Sequence, residues 1–387
     1  MKKYDFILLE VLYWHTPHLT IDIESLARIL MSAGLKVAVV NYLQNDTYHQ
    51  NKEYDVINIF PDKKFPDRSK IFSEKNKLLS FLRKIKIDLD MYKYFSDIYS
   101  RIKDLSDNFY FGTYTNETFP IFFLPFKNKK IFFWGYRPYF FTNPYFAFMT
   151  NPYTVFTSRY IRKIILKHEN YRFFISNENI REEFLGGGMN KSRLIYRPER
   201  IIEKTPDMNF KELSQDFTLL TLGYIRKEKN LEFSIDTIRN LDIKFIIAGK
   251  SDSVYAGKID EYLDLMKFKN IIRKKGFIPD DEYHGLFLLS HFLLIVDKEQ
   301  KSTVSNGTFL EALLKGRPVI VPDIKPYNYY VNNYGIGLMF KPEDKQSLKE
   351  TIEKARRLGT EHFKEALEKH QKDYLLKNVA RKVFSQL

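Results

Sequence analysis

The sequence predicts an α/β protein built from two doubly wound domains that face a cleft. The chain has 387 residues, of which 44% are apolar, and this is enough for two cores of roughly 150–200 residues each. Short β-branched runs alternate with amphipathic helical patterns along its length, which is typical of parallel sheets covered by helices. Glycine turns follow several of the strand patterns, at the sheet edge where such folds bind ligands.

Composition and element order place the domain boundaries. Residues 1–200 are predicted to form an N-terminal Rossmann-like domain. Residues 201–360 form a second Rossmann-like domain, and residues 361–387 supply closing helices that could cross back to the first. The polar stretch 199–214 is the predicted linker.

The first domain begins as a βαβ unit. Strand patterns cover residues 4–11, 35–42, 130–134, 173–176 and 194–196, and helix patterns cover 21–32, 69–95 and 178–185. The pattern at 69–95 is strongly basic, so a membrane-surface helix and a solvated helix packed on the sheet both fit it. Asp88 and Asp90 do not indicate a metal site, because residues two apart on a helix do not share a face.

The second domain repeats the alternation with clearer glycine turns. Strand patterns cover residues 217–222, 243–248, 271–277, 291–296, 318–322 and 336–340, and helix patterns cover 231–239, 258–267, 327–332 and 344–358. A further helix is predicted after Ser305 or Asn306, either of which can cap it. Gly316 stands where a left-handed helix stop is expected, and Pro318 prevents continuation.

That further helix lies in the stretch 305–323, SNGTFLEALLKGRPVIVPD, which predicts a ligand site. Gly307 lets a ligand approach the backbone closely. The N-terminus of a helix offers unpaired N–H groups and about half a positive charge, which suits a phosphate. Glu311 lies about one turn in and could reach the hydroxyls of a ribose whose diphosphate sits at the helix start.

Charge and composition limit the partners. The net charge is +14 and there is no cysteine, so disulfides and thiolate metal sites are excluded. Residues 118–168 contain no acid, eight Lys/Arg and 17 aromatics. This pattern fits either a basic aromatic surface for anionic lipids or phosphates, or a solvated basic face over an aromatic core. Nucleic-acid binding is not predicted, since no recognised module occurs.

The 305–323 stretch resembles the nucleotide-sugar motif of family 4 glycosyltransferases, the group 1 enzymes of GT-B fold. The resemblance implies a retaining, metal-independent hexosyltransferase without a cofactor, with a UDP-sugar as the default donor. The acceptor would be a glycan or a lipid-linked saccharide in cell-surface polysaccharide or glycoconjugate synthesis. The expected location is cytoplasmic, and peripheral contact with an anionic membrane at its inner face is left open.

The resemblance also implies that residues 1–200 bind the acceptor and residues 201–360 bind the nucleotide sugar, and it implies the site residues. Lys229, Glu311 and Arg226 would be catalytic. The donor-binding set is Gly223, Tyr224, Arg226, Lys229, Gly249, Phe277, Ile278, Ser305, Asn306, Gly307, Thr308, Phe309 and Glu311. On the acceptor side stand His15, Trp134 and Arg137, where Trp134 could stack on a sugar or pack in the core.

The chain departs from the family pattern at three places. Tyr224 replaces a basic residue after the glycine turn, Thr303 replaces an acid eight residues before Glu311, and Trp134 or Gly135 stands where a histidine is common. A binding subunit of the same fold that has lost turnover therefore stays open, and donor hydrolysis or transfer would exclude it. A sugar-nucleotide epimerase is a further alternative, which would act on free donor without an acceptor.

Overall fold

A computed structural model describes residues 2–10, 17–41, 53–60, 77–112, 121–135, 152–205, 216–250, 253–298 and 306–387. The chain divides into two compact units. The first comprises Met1–Ile201 with Leu376–Leu387, and the second comprises Ile202–Leu375. Each unit is built on one parallel sheet, so the predicted α/β class is confirmed.

The first unit has a seven-stranded sheet in the order β3-β2-β1-β4-β5-β6-β7. The strands are β1 (Phe6–Glu10), β2 (Val37–Asn41), β3 (Asp55–Asn58), β4 (Asn108–Gly112), β5 (Lys130–Trp134), β6 (Tyr171–Ile175) and β7 (Leu194–Tyr196). Every neighbouring pair is parallel. The strand order reverses between β1 and β4, as doubly wound sheets require.

Helices cover the first sheet. They are α1 (Pro17–Ser32), α2 (Lys77–Ile102), α3 (Pro152–Lys167), α4 (Glu178–Gly186) and, from the end of the chain, α12 (Leu376–Phe384). Helix α2 ends seven residues later than its predicted end, because Ile98 and Ile102 continue the buried face that Phe95 belongs to. Its ring contacts, such as Tyr99 with Phe126 at 4.6 Å between centroids, anchor it to the 3-10 turn Ile121–Phe126.

The aromatic residues around β5 form core, not surface. Phe123, Phe126, Phe132 and Phe133 are at most 1% exposed. Their rings contact one another and those of the neighbouring strands, for example Phe123 with Phe133 at 5.4 Å. For these residues, the core explanation of the aromatic window 118–168 holds. Residues 136–151 of that window lie outside the part of the chain that the structure describes.

The second unit has a six-stranded parallel sheet in the order β10-β9-β8-β11-β12-β13. The strands are β8 (Thr218–Leu222), β9 (Lys244–Gly249), β10 (Ile271–Lys275), β11 (Phe292–Leu294), β12 (Val319–Pro322) and β13 (Gly337–Phe340). Strands β8, β9, β11 and β12 are buried throughout, apart from the first residue of β9, which explains their continuous apolar runs. The order reverses between β8 and β11.

The helices of the second unit follow the predicted alternation, except that the helix Asp280–Leu289 was not predicted. They are α5 (Leu231–Ile238), α6 (Ser253–Met266), α7 (Asp280–Leu289), α8 (Gly307–Leu314), α9 (Tyr327–Tyr334), α10 (Lys345–Leu358) and α11 (Lys364–Asp373). Asn306 caps α8 through its side chain. Gly316, just after α8, has φ +72°, the left-handed stop expected from the sequence.

The return to the first unit begins at Leu376 and not at residue 361. Helix α11 stays with the second unit because the Gln371 amide donates to the carbonyls of Leu313 and Leu314 at 3.1 and 3.2 Å. Those carbonyls belong to the last turn of α8, so α11 satisfies acceptors that a helix end leaves open. Only α12 packs in the first unit, where Val379 and Val383 join the core.

None of the helices in the described ranges combines the length and the hydropathy that crossing a bilayer requires.

Candidate functional site

A recess opens where the strand order of the second sheet reverses. We call it the strand-end recess; its lining residues are Thr221, Leu222, Lys229, Leu293, Leu294, Ile295, Val296, Asp297, Asn306 and Thr308. The carboxyl ends of β8 and β11 form its floor, and the start of α8 forms its rim. Open parallel sheets bind ligands at such reversals, because the connections leave in opposite directions and open a crevice.

Two glycine turns meet beside this recess. Gly223 follows β8 with φ +104°, and Gly249 ends β9 with φ +134°. A Cβ on Gly249 would stand 2.0 Å from the carbonyl oxygen of Gly223, so no side chain fits there. A Cβ on Gly223 would lie 3.0 Å from the Thr308 hydroxyl and 3.5 Å from the Lys229 amine. The turn after β8 therefore lies directly against the two groups that could hold a ligand.

Lys229 is the buried cation of the recess. It is 9% exposed, and its amine donates to the carbonyl of Leu222 at 2.7 Å. Burial lowers the pKa of Lys229 to about 8, and the negative charge of Asp297 partly opposes that fall. An ammonium in such a place gains when an anion arrives, since the anion supplies the charge partner that water would otherwise provide.

The start of α8 offers fewer free donors than the sequence suggests. The Thr308 N–H donates to the Asn306 side-chain oxygen at 3.0 Å, and the Phe309 N–H donates to the Asn306 carbonyl at 2.9 Å. These two N–H groups are therefore used within the turn. The N–H groups of Asn306 and Gly307 and the Thr308 hydroxyl remain the candidates for an anion at this helix N-terminus.

Glu311 is fixed by a residue that sequence analysis missed. The hydroxyl of Tyr283, on α7, donates to Glu311 Oε2 at 2.8 Å. This bond fixes one carboxylate oxygen of Glu311, which is not itself among the residues that line the recess. A tyrosine in an ordinary amphipathic helix carries no motif, so nothing in the sequence alone indicates this contact.

Asp297 is a second missed residue. It follows β11 and lines the strand-end recess with Lys229. The hydroxyl of Tyr327, at the start of α9, donates to its Oδ2 at 2.7 Å. Thr303, which stands where the resemblance implies an acid, lies outside the described residues. Among the described residues that line the recess, Asp297 is the acid.

Other predicted donor residues are not among those that line the recess. Tyr224 and Arg226 are exposed on the turn that follows β8, and Arg226 is near enough to depress the pKa of Lys229 slightly. Phe277 is 78% exposed, and Ile278 packs against the core of the second unit. Ser305 lies outside the described residues, as do the acceptor-side residues His15 and Arg137.

Trp134 does not offer its ring to a sugar in this structure. It is 5% exposed, and the Arg197 guanidinium stands 4.3 Å from its ring centroid. Arg197 is itself held by the Asp22 carboxylate at 2.5 Å. Of the two alternatives that the sequence left open for Trp134, core packing is found, and its ring face already carries a cation.

Comparison with known proteins finds a family that the second unit resembles. Residues 204–373 match the family model described as "Glycosyl transferases group 1". These residues span almost the whole second unit, including both glycine turns, Lys229 and α8. No curated protein sequence matches the chain.

Solved structures share the fold over the whole chain. A glycosyltransferase from Rickettsia africae has a TM-score of 0.67 at 14% identity, covering 100% of this chain and 98% of that one. Anabaena HepE in complex with UDP has a TM-score of 0.65 at 11% identity, with 98% of both chains covered. Sucrose-phosphate synthase from Thermosynechococcus elongatus has a TM-score of 0.62 at 14% identity, again with 98% of both covered. The match over 204–373 shows that the second unit is similar to the group 1 glycosyltransferases, and the solved structures show that the whole chain has the two-sheet GT-B fold.

Proposed function

We propose that the protein is a retaining, metal-independent hexosyltransferase of the family 4 type that uses a nucleoside-diphosphate sugar as donor. The observation that carries this proposal is the strand-end recess, where a buried lysine, a threonine hydroxyl and a helix N-terminus converge. These groups share one chemistry, which is the binding of phosphate oxygens. UDP is the default nucleotide, supported by the UDP found in the HepE structure.

Each group has a role in the departure of the nucleoside diphosphate. The bond between the anomeric carbon and the diphosphate oxygen breaks, and negative charge develops on that oxygen. Lys229 would neutralise it, with Arg226 and the N–H groups of Asn306 and Gly307 as further donors. Glu311, oriented by Tyr283, would accept hydrogen bonds from the ribose hydroxyls.

Retention of configuration is proposed to follow from attack on the face that the diphosphate leaves. The acceptor hydroxyl oxygen bonds to the anomeric carbon, and its proton passes to the departing diphosphate. Positive side chains and backbone dipoles can stabilise this leaving group without a cation. Among the described residues, no group of three or more His, Asp or Glu is placed to hold a metal ion.

The acceptor is proposed to be a glycan or a lipid-linked saccharide of a cell-surface polymer, bound by the first unit at the cytoplasmic side of the membrane. The first 200 residues carry 31 Lys/Arg against 21 Asp/Glu, a net of +10. A positive surface favours anionic acceptors and the headgroups around them.

The test is a thermal-shift panel with UDP, GDP, TDP, ADP and CMP, each with magnesium and with EDTA. A ligand present at 100 times its dissociation constant adds about 2.7 kcal/mol to the free energy of unfolding, which is enough to detect. We expect one diphosphate to raise Tm equally under both conditions. Transfer from the matching labelled sugar donor, again with EDTA, would then establish turnover and the configuration of the product.

Other outcomes would count against parts of the proposal. A shift that needs magnesium contradicts the metal-independent site. Binding of a diphosphate without hydrolysis or transfer for any donor tried would favour the accessory-subunit alternative. If no nucleotide in the panel raised Tm, the proposed donor site itself would be contradicted.

A further inference from the structure

Helix α2 carries an exposed stripe of leucines and lysines. Leu79, Leu82 and Leu89 are 45%, 52% and 47% exposed, and Lys86 and Lys93 are exposed as well. These five residues occupy positions i, i+3, i+7, i+10 and i+14, which fall within an arc of about 80° around the helix. We call them the α2 stripe. Three exposed leucines on one face of a helix leave apolar area in contact with water, which is unfavourable in free energy.

The rest of α2 is firmly anchored. Met91, Phe95, Ile98 and Ile102 are fully buried in the first unit, and the Phe95 and Phe111 rings meet edge to face at 6.3 Å. Among the residues of α2 whose burial is described, the buried ones all lie from Asp88 onward, whereas four of the five stripe residues precede Met91. The stripe is therefore presented by a helix whose position is already fixed by packing.

The charge on and beside the stripe indicates what would cover it. Two of its five members are lysines and none is acidic, and the exposed Arg83 and Tyr92 stand beside it. Two partly buried acids adjoin it on the helix, Asp90 beside the stripe and Asp97 beyond Lys93, and Asp97 is paired with Arg101 at 3.2 Å. Asp88 is buried and does not reach this face. Leucines that alternate with lysines beside a tyrosine fit the surface of an anionic bilayer. The leucines would contact the acyl chains, and the lysines would contact the anionic headgroups.

We propose that the α2 stripe is a docking surface for an anionic lipid bilayer. The helix lies along the interface with its leucines in the headgroup–acyl boundary and Lys86 and Lys93 among lipid phosphates. This contact would hold the first unit at the surface that displays lipid-linked acceptors. It does not depend on the donor site, so either can fail while the other stands.

The experiment is co-sedimentation of the full chain with vesicles of phosphatidylcholine and phosphatidylglycerol in equal parts, and with vesicles of phosphatidylcholine alone. We expect binding to the mixed vesicles that weakens with salt and with loss of the anionic lipid. The double variant Lys86→Glu/Lys93→Glu should weaken binding by roughly 25-fold or more, since each basic residue at an anionic surface is worth about fivefold. Leu82→Ser/Leu89→Ser should weaken it by roughly tenfold or more.

Matched controls lie on exposed helices of the second unit. Leu265 on α6 is 77% exposed, and Lys354 on α10 is exposed. Leu265→Ser and Lys354→Glu should leave vesicle binding unchanged, and nucleotide binding should be unchanged in all of the variants. Should the serine pair fail to fold, the glutamate pair carries the test alone, since both lysines are exposed.

Three results would overturn the proposal. They are no binding to the mixed vesicles, an equal loss in the control variants, and a wild-type dimer that Leu82→Ser/Leu89→Ser separates into monomers. The last would make the stripe an interface between proteins.

Discussion

Lys229 shows how one buried side chain can make donor binding depend on pH. Burial brings the pKa of Lys229 down to about 8. A bound diphosphate would favour the charged form and raise that pKa again. Above the pKa of Lys229 in the ligand-free protein, binding of the diphosphate is therefore accompanied by proton uptake at Lys229. The affinity for the diphosphate must then fall as the pH rises further.

We expect the affinity of the cognate nucleoside diphosphate to be flat up to about pH 8 and then to fall, approaching tenfold per pH unit. Lys229→Met should weaken binding by roughly 10- to 100-fold at neutral pH, the range for a hydrogen bond to a charged group. It should also remove the fall above pH 8. Calorimetric titration across this pH range measures both effects.

The matched control is Lys227→Met, which removes an exposed lysine from the same 3-10 turn, Lys227–Lys229. It should change affinity only slightly and keep the pH profile, because exposed charges are screened. If Lys229→Met bound nucleotide as wild type does, the buried lysine would not contact the phosphates.

At the scale of elements, the two glycine turns explain why the strand ends lie so close together. A Cβ added to Gly249 would stand 2.0 Å from the carbonyl oxygen of Gly223. The N–H of Gly223 donates to the Ala248 carbonyl at 3.1 Å. The turns after β8 and β9 are thus packed backbone to backbone. This packing fixes the floor on which a ligand would lie.

Gly249→Ala should destabilise the second unit by roughly 2–6 kcal/mol, because it adds backbone strain at φ +134° to a steric clash. Gly257→Ala is the matched control. That glycine lies within α6 with no atom within 4 Å of an added Cβ, so the change should stabilise by about 0.5–1 kcal/mol. Thermal melts compare the two, and a neutral Gly249→Ala would show that the turns can separate at little cost.

The sequence could predict most elements of the second unit, but it missed β3, β4, α3 and α7, and not all contacts of the site could be predicted. The strands Lys130–Trp134 and Leu194–Tyr196 were predicted to the residue, since apolar runs between turns have sharp ends. The cap at Asn306 and the stop at Gly316 were also predicted, because both obey local rules. The hydrogen bonds from Tyr283 to Glu311 and from Tyr327 to Asp297 could not be predicted. The partners are 28 and 30 residues apart in the sequence, and no local rule connects them.

At the scale of the whole molecule, the second unit contains a buried histidine that links its folding to pH. His370 on α11 is fully buried, among the rings of Tyr334 and Tyr374 at 4.8 and 4.7 Å. Burial lowers the pKa of His370 to about 3 from the ordinary 6.5. The folded unit therefore keeps a neutral imidazole down to pH values at which the unfolded chain has already taken up the proton.

The sign of the effect follows from that difference. Stability from this site is complete above pH 6.5 and is lost as pH falls towards 3, because only the unfolded state binds the proton in that interval. The loss should reach about 2 kcal/mol at about pH 5, given about 1.4 kcal/mol per pH unit. We expect urea melts of the wild-type protein to show the transition of the second unit moving to lower urea as pH falls through this window.

His370→Phe keeps a ring in the tyrosine cluster and removes the titrating nitrogen atoms, so its stability should change much less between neutral pH and about pH 5. His362→Gln removes an exposed histidine from the neighbouring 3-10 turn and should leave the wild-type slope intact. An unchanged slope in His370→Phe would assign the acid sensitivity to other groups. A slope lost in both variants would indicate a general effect of positive charge on the unit, not the burial of one imidazole.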